Sequence, residues 1–340
     1  MLQKLEGGVL IMCFFTGCRQ IAAALLVAAL ANSAAYGADR IRVAAQITGT
    51  LGWELEVMRA HELERKGNLD IETIQLASTE AGQIALRGGS VDLIVSDWLW
   101  VSRERTLGDD LVFYPYSSAL GAVMVPASSP IEDVAGLKGR KLGVAGGPLD
   151  KSWLLLQAFA RRSSLDLKKQ SDIVYGAPPL LMEKALQGET DATLTFWNFC
   201  ARLEGKGMRR AVDIADVIRH LGASGPVAMV GYVFHDSWAQ RNRDILDRFF
   251  SAADQAKKIL VDSPDEWQRL VPRIGVSNNS AALDVYRRRY VEGIPRRSVE
   301  DEAADAKALY RILADVGGRD LVGSARELAP GTFYMAGSRE

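Results

Sequence analysis

The sequence predicts an α/β protein of two lobes, a clamshell in which each lobe is a mostly parallel sheet flanked by helices and two chain crossings form the hinge. Two stretches carry that expectation. Gly88-Gly89-Ser90-Val91-Asp92 runs through Leu93, Ile94 and Val95 to Ser96-Asp97-Trp98, and Gly188-Glu189-Thr190-Asp191 runs through Ala192, Thr193 and Leu194 to Thr195-Phe196-Trp197. Each reads as a helix stopped by glycine and then a short apolar strand ending in tryptophan, which is half of an α/β unit. At 340 residues the chain also exceeds one ordinary domain.

The elements follow in order. A strand at 41–45 leads into the loop 46–50, and a helix is expected over 52–66 with Leu51, Leu55 and Met58 on one face and Gly67 as its stop. Residues 69–74 alternate like a strand, and Ser78-Thr79-Glu80 offers cap residues for a short helix ending at Gly88-Gly89. The proline-bounded run near 119–130 is the first crossing, so lobe 1 takes 38–123 and lobe 2 takes 124–225. Within lobe 2 a strand at 141–145 precedes the loop 146–150 and a helix through Trp153, Leu156 and Phe159. Gly222-Ala223-Ser224-Gly225-Pro226 marks the return crossing, and 226–340 goes back to lobe 1, opening on a strand at 227–233. From 236 to 316 the pattern is amphipathic helix, with Arg287-Arg288-Arg289 and Arg296-Arg297 read as a solvated face. The tail after Ala329 has no periodic signal and is expected to be loose.

Residues 1–37 read as a cleaved secretory signal peptide. Arg19 precedes an uncharged Ala/Leu/Val run, and small residues offer cleavage after Ala35 or Gly37. Translation starting at Met12, and a lipoprotein leader with Cys18 as lipid acceptor, are the alternatives. The expected location is therefore the periplasm. Past the leader Cys200 stands alone, so no internal disulfide forms there, and a small buried side chain is its simplest role. A formal charge of −1 and the lack of a basic stripe argue against nucleic acid as a partner. His61, His220 and His235 have no metal-ligand spacing, and no Gly-x-Ser-x-Gly elbow occurs, so no enzyme and no built-in cofactor are expected.

The strand with Thr48-Gly49-Thr50, the Ser78-Thr79-Glu80 step, the two Gly-x-x-Asp phrases, the run Leu137-Lys138-Gly139-Arg140-Lys141-Leu142-Gly143-Val144 and Trp197 together resemble a family. It is that of the periplasmic solute-binding proteins of nitrate/sulfonate/taurine-type ABC importers, with the type II periplasmic-binding-protein fold. The resemblance implies a monomer that buries a small-molecule solute in the inter-lobe cleft, docks on the permease subunits of an ABC importer and catalyses nothing. It also implies the ligand-binding positions: Thr48, Gly49, Thr50 and Trp53 after the first strand, Ser78 and Thr79 at the second helix, and Ser96 and Asp97 at the end of the third strand. From lobe 2 it implies the loop after the first strand, Gly146 to Ser152, with Gly147, Asp150 and Ser152, and the run Phe196-Trp197-Asn198.

Glu80 and Trp98 join that set from the residues themselves. Pro148 donates no N–H, while Glu80, Asp97 and Asp150 place carboxylates near the cleft, and Trp53, Trp98, Trp153 and Trp197 offer stacking faces. That mixture suits a heteroaromatic or cationic ligand rather than a simple sulfonate or nitrate. Other readings stand beside it. Asp97 serves equally as a helix cap, and Asp92 and Asp191 as turn residues. A ligand-sensing partner of a membrane receptor needs the same clamshell. A pyrimidine-synthesis-like enzyme on this fold would need a Cys-rich stretch, which the lone Cys200 does not supply.

Overall fold

The computed structural model describes residues 37–47, 49–275 and 280–335. The leader through residue 36, with Met12, Cys13 and Cys18, lies outside the described residues, as does Thr48. Ten strands follow in chain order: β1 (Asp39–Gln46), β2 (Leu69–Leu76), β3 (Ile94–Ser96), β4 (Leu111–Ser117), β5 (Ala122–Pro126), β6 (Lys141–Ala145), β7 (Asp172–Gly176), β8 (Ala192–Thr195), β9 (Met208–Asp213) and β10 (Val230–His235).

They form two sheets with one plan. β7-β6-β8-β5-β9 is a five-stranded sheet in which β6 runs parallel to β7 and β8, whereas β5 is antiparallel to β8 and β9. On the other side β10 is antiparallel to both β3 and β4, and β1 pairs with β2. A parallel bridge from Val43 to Leu93 joins β1 to the residue leading into β3, giving the order β2-β1-β3-β10-β4. In each sheet the third strand is central and beside the antiparallel strand. The central parallel strands are apolar because both of their faces are covered, as in β6 and β8, whose interiors are buried.

The two repeated phrases do equivalent work. Arg42 N–H donates to the Asp92 carboxylate at 2.8 Å, and Lys141 N–H donates to the Asp191 carboxylate at 2.7 Å, each across 50 residues. Each aspartate thus pins its sheet's first strand to the turn before the third. Gly89 and Gly188 stop the preceding helices at φ of 68° and 72°, where a side chain would strain the backbone. After the strands, Asp97 and Phe196 are the N-cap residues of the helices Trp98–Thr106 and Trp197–Glu204.

Both crossings are held. Ser118 N–H donates to Gly293 O at 2.8 Å on the way out, and a side chain at Gly121 would collide with the Thr195 carbonyl. On the way back, Ala228 N–H donates to Glu302 at 2.8 Å and its carbonyl accepts from Trp98 Nε1 at 3.1 Å. Because both backbone groups of Ala228 are used in these clamps, β10 begins at Val230 rather than at 227. Glu302 and Asp305 belong to the long helix Val299–Val322, and Asp305 accepts from Ser224 N–H and pairs with Arg297.

Three more expectations are corrected. The helix expected over 52–66 is two helices, Leu51–Ala60 and Leu63–Lys66, because Glu62 turns left-handed at φ 54° beside His61, whose ring bonds Glu266 at 2.9 Å. The tail is tied down rather than loose through residue 335: Phe113 N–H donates to Thr332 O and Tyr334 N–H to Phe113 O, both at 2.8 Å, at the edge of β4. The arginine run is not simply a solvated face. Arg289 and Arg288 of the helix Ser280–Glu292 pair with Glu204 at 3.0 and 3.4 Å, and Arg287 donates to Val261 O. No helix among the described residues is long and apolar enough to cross a membrane.

Candidate functional site

A cavity of about 520 Å³ lies between the two sheets, where the parallel strands end. Helix starts converge on it: Thr50 before Leu51–Ala60, Ser78 before Thr79–Arg87 and Asp97 before Trp98–Thr106 from one side, Asp150 before Lys151–Arg162, Pro178 of Pro178–Leu186 and Trp197 of Trp197–Glu204 from the other. Helix starts leave N–H groups without helical partners. Here side chains take several of them. Ser78 accepts from Ala81 N–H at 3.2 Å, Asp97 from Trp100 N–H at 2.9 Å and Asp150 from Trp153 N–H at 3.1 Å. Aspartates as caps turn dipole-positive helix ends into carboxylate-bearing ones.

Of the residues expected at the site, Gly49, Thr50, Ser78, Thr79, Glu80, Ser96, Asp97, Asp150, Ser152, Trp197 and Asn198 line this cavity. Trp53, Trp98 and Gly147 do not. Trp98 is fully buried, its ring near Tyr310 and its Nε1 spent on the crossing at Ala228, so it is a core residue. Trp153 is fully buried as well. Trp53 lies behind the wall, edge-on to Trp197 at 5.8 Å and to Trp267 at 6.0 Å. Among the described tryptophans, Trp197 is the one at the cavity surface.

Several lining residues were missed. Tyr116, on β4, shares a hydrogen bond with Thr50 at 3.1 Å, and Gln46 Nε2 donates to Thr79 at 2.6 Å. Ser117 and Pro178 line it too, whereas Phe196, which also lines it, was implied by the resemblance together with Trp197 and Asn198. The alternation of Tyr114 and Tyr116 in β4 was the signal for Tyr116. Lys151, within the loop 146–152 that the resemblance implied, reaches Asp97 at 2.8 Å.

The charged residues lining the cavity, among those described, are Glu80, Asp97, Asp150 and Lys151. Burial pushes the Asp150 carboxyl up to about 6, against the pull of Lys151 and of the N–H groups of Trp153 and Ser152. Burial would lower the Lys151 ammonium, but Asp97, Asp150 and Glu80 together hold it above its usual value. Behind the floor, Glu54 is fully enclosed: Tyr290 and Tyr232 donate to it at 2.6 and 3.2 Å, and Lys257 lies at 3.9 Å. Burial raises its pKa, with Lys257 and the phenols opposing. Lys257 also sits over the Tyr116 ring at 5.4 Å, so this network backs a cavity wall.

Among the described residues no histidine or cysteine lines the cavity. Asp109, Asp110 and His235 cluster elsewhere, with His235 Nδ1 bonded to Asp110 and Ser237 N–H donating to it, so these groups satisfy one another. Cys200 is fully buried, and burial pushes its thiol up to about 12.

Residues 64–267 match the family model described as NMT1/THI5 like. The chain belongs to the NMT1/THI5-like family. A comparison with curated protein sequences found no match. Among solved structures, this NMT1/THI5-like chain is similar to the periplasmic aliphatic sulphonate binding protein SsuA from Escherichia coli, with a TM-score of 0.70 and 19% identity over 89% of this chain and 94% of that one. The alkanesulfonate-binding protein SsuA from Xanthomonas axonopodis pv. citri bound to MOPS gives a TM-score of 0.65 and 18% identity over 87% and 98%. A ligand-binding component of an ABC-type import system from Staphylococcus aureus gives 0.59 and 12% over 87% and 96%. At these identities the likeness is one of fold, and the fold is that of the periplasmic binding proteins.

Proposed function

We propose that this chain is an extracytoplasmic solute-binding protein that captures a small solute between two lobes, 38–123 with 226–340 and 124–225, and delivers it to the permease of an ABC importer. The observation that supports this reading best is the cavity itself. It lies at the strand ends of two sheets of one plan, with the connections at 118–121 and 224–229 as hinge. Export by the leader 1–37 to the periplasm, free rather than lipid-anchored at Cys18, and a monomeric state belong to the same reading.

The solute is of the heteroaromatic or cationic kind. Trp197, Phe196 and Tyr116 supply aromatic surface, and among the described lining residues carboxylates outnumber the ammonium of Lys151. A sulfonate would meet that ammonium already paired with Asp97 at 2.8 Å. Enzymatic pyrimidine chemistry has little support. Cys200 is buried with a raised pKa, and His61, His220 and His235 do not line the cavity. A ligand-sensing role is the second reading, and the same cavity serves it.

Native mass spectrometry of protein purified from its own periplasm tests the proposal. One aromatic or amine-bearing solute per chain is expected. A sulfonate or other small anion at that ratio overturns the charge reading, and turnover of the bound molecule overturns the non-enzyme reading.

A further inference from the structure

The Asp97–Lys151 pair joins the two halves of the molecule across the cavity. Asp97 follows β3 in one sheet, and Lys151 opens the helix after β6 in the other. Nζ lies 2.8 Å from one Asp97 oxygen, while the other oxygen accepts Trp100 N–H at 2.9 Å. The carboxylate is therefore aimed by its own helix and does not depend on the lysine for its direction. Asp97 is 8% exposed, so it is poorly hydrated and needs a cation beside it. Asp150 and Glu80 also line the space around this ammonium.

Away from the cavity the halves are joined differently. There the helix Val299–Val322 packs on both Trp98–Thr106 and Lys151–Arg162, and Glu204 pairs with Arg289. Among the described ion pairs, Lys151 with Asp97 is the one that spans the cavity. Any opening motion about the two crossings must break it.

We propose that Asp97–Lys151 is an interlobe latch, closed before solute arrives, and that the cationic group of a solute takes the place of Lys151 at Asp97. The second half rests on the charge reading above, whereas the latch does not. Lys151 then sets specificity by competition: an anion gains nothing from displacing it, and a cation without reach to Asp97 leaves the latch shut.

Two variants test the latch with solute removed. D97N keeps an N-cap side chain for Trp100 N–H, and K151M keeps the stem of Lys151. Small-angle X-ray scattering of the full chain is expected to give a larger radius of gyration for both variants than for the wild type. Curves that superimpose for all three overturn the latch. For the exchange, titration with benzylammonium followed by tryptophan fluorescence is expected to show K151M binding at least about tenfold tighter than the wild type, as removal of a close competing charge implies. D97N is expected to bind more weakly than either. Equal or weaker binding by K151M overturns the exchange and leaves the latch standing. An anionic natural solute overturns the charge reading without touching the scattering result.

Discussion

At the scale of single residues, position rather than type decides role. Trp98 and Trp197 close the same phrase, each as the first residue of a helix, yet one is fully buried and bonded to a crossing and the other forms a cavity wall. Asp97 and Asp150 both cap helices, and burial raises Asp150 to about 6. The sign of the consequence follows from that direction. The folded state holds the Asp150 proton more tightly than the unfolded chain with its value of 3.8, so stability from this group is full below 3.8 and is lost as pH rises through about 6. D150N keeps a capping side chain and removes the titration. Its melting temperature relative to the wild type is expected to rise across that window and to be level on either side of it. A difference that does not vary with pH would contradict the environment assigned to Asp150.

Among elements, the helix Leu51–Ala60 carries the most consequential polar group. Glu54 is 1% exposed and takes hydrogen bonds from Tyr290 and Tyr232, with Lys257 nearby. Removing the carboxylate takes from Lys257, itself 8% exposed, its buried carboxylate neighbour and leaves it Asp254 at 3.8 Å on the exposed side. E54A is expected to lose about 3–5 kcal/mol in urea unfolding, the usual cost of breaking a buried charge pair from one side. E54Q still accepts from the phenols and is expected to lose less. Equal losses would mean that the lost charge, rather than the cavity left by the side chain, sets the cost.

For the whole molecule, the helix Trp197–Glu204 packs on Ser280–Glu292 and so ties the five-stranded sheet to the C-terminal helices. Glu204 is the polar centre of that tie, with Arg210 at 2.6 Å and Arg289 at 3.0 Å. Burial would raise its pKa, but hydrogen bonds and charge from Arg210 and Arg289 hold it below 4.5. Its contribution is present above 4.5 and fades as pH falls through the lowered value. E204Q leaves two arginines facing each other and is expected to cost about 3 kcal/mol at neutral pH, and much less in acid, by urea unfolding. A pH-independent loss would assign the effect to packing alone.

The repeat, the glycine stops and the caps at Ser78 and Asp97 were legible in the sequence, because each is a local feature of residues a few positions apart. Tyr116 could have been read from alternation in β4, but not its meeting with Thr50. Tertiary structure alone decided the rest. It turned Trp98 inward and left Trp197 at the cavity, set Arg289 against Glu204 and drew the tail onto β4. It also carried Lys151 across to Asp97. These outcomes depend on which surfaces meet when two sheets pack, and burial and long-range charge pairing exist only once they have met.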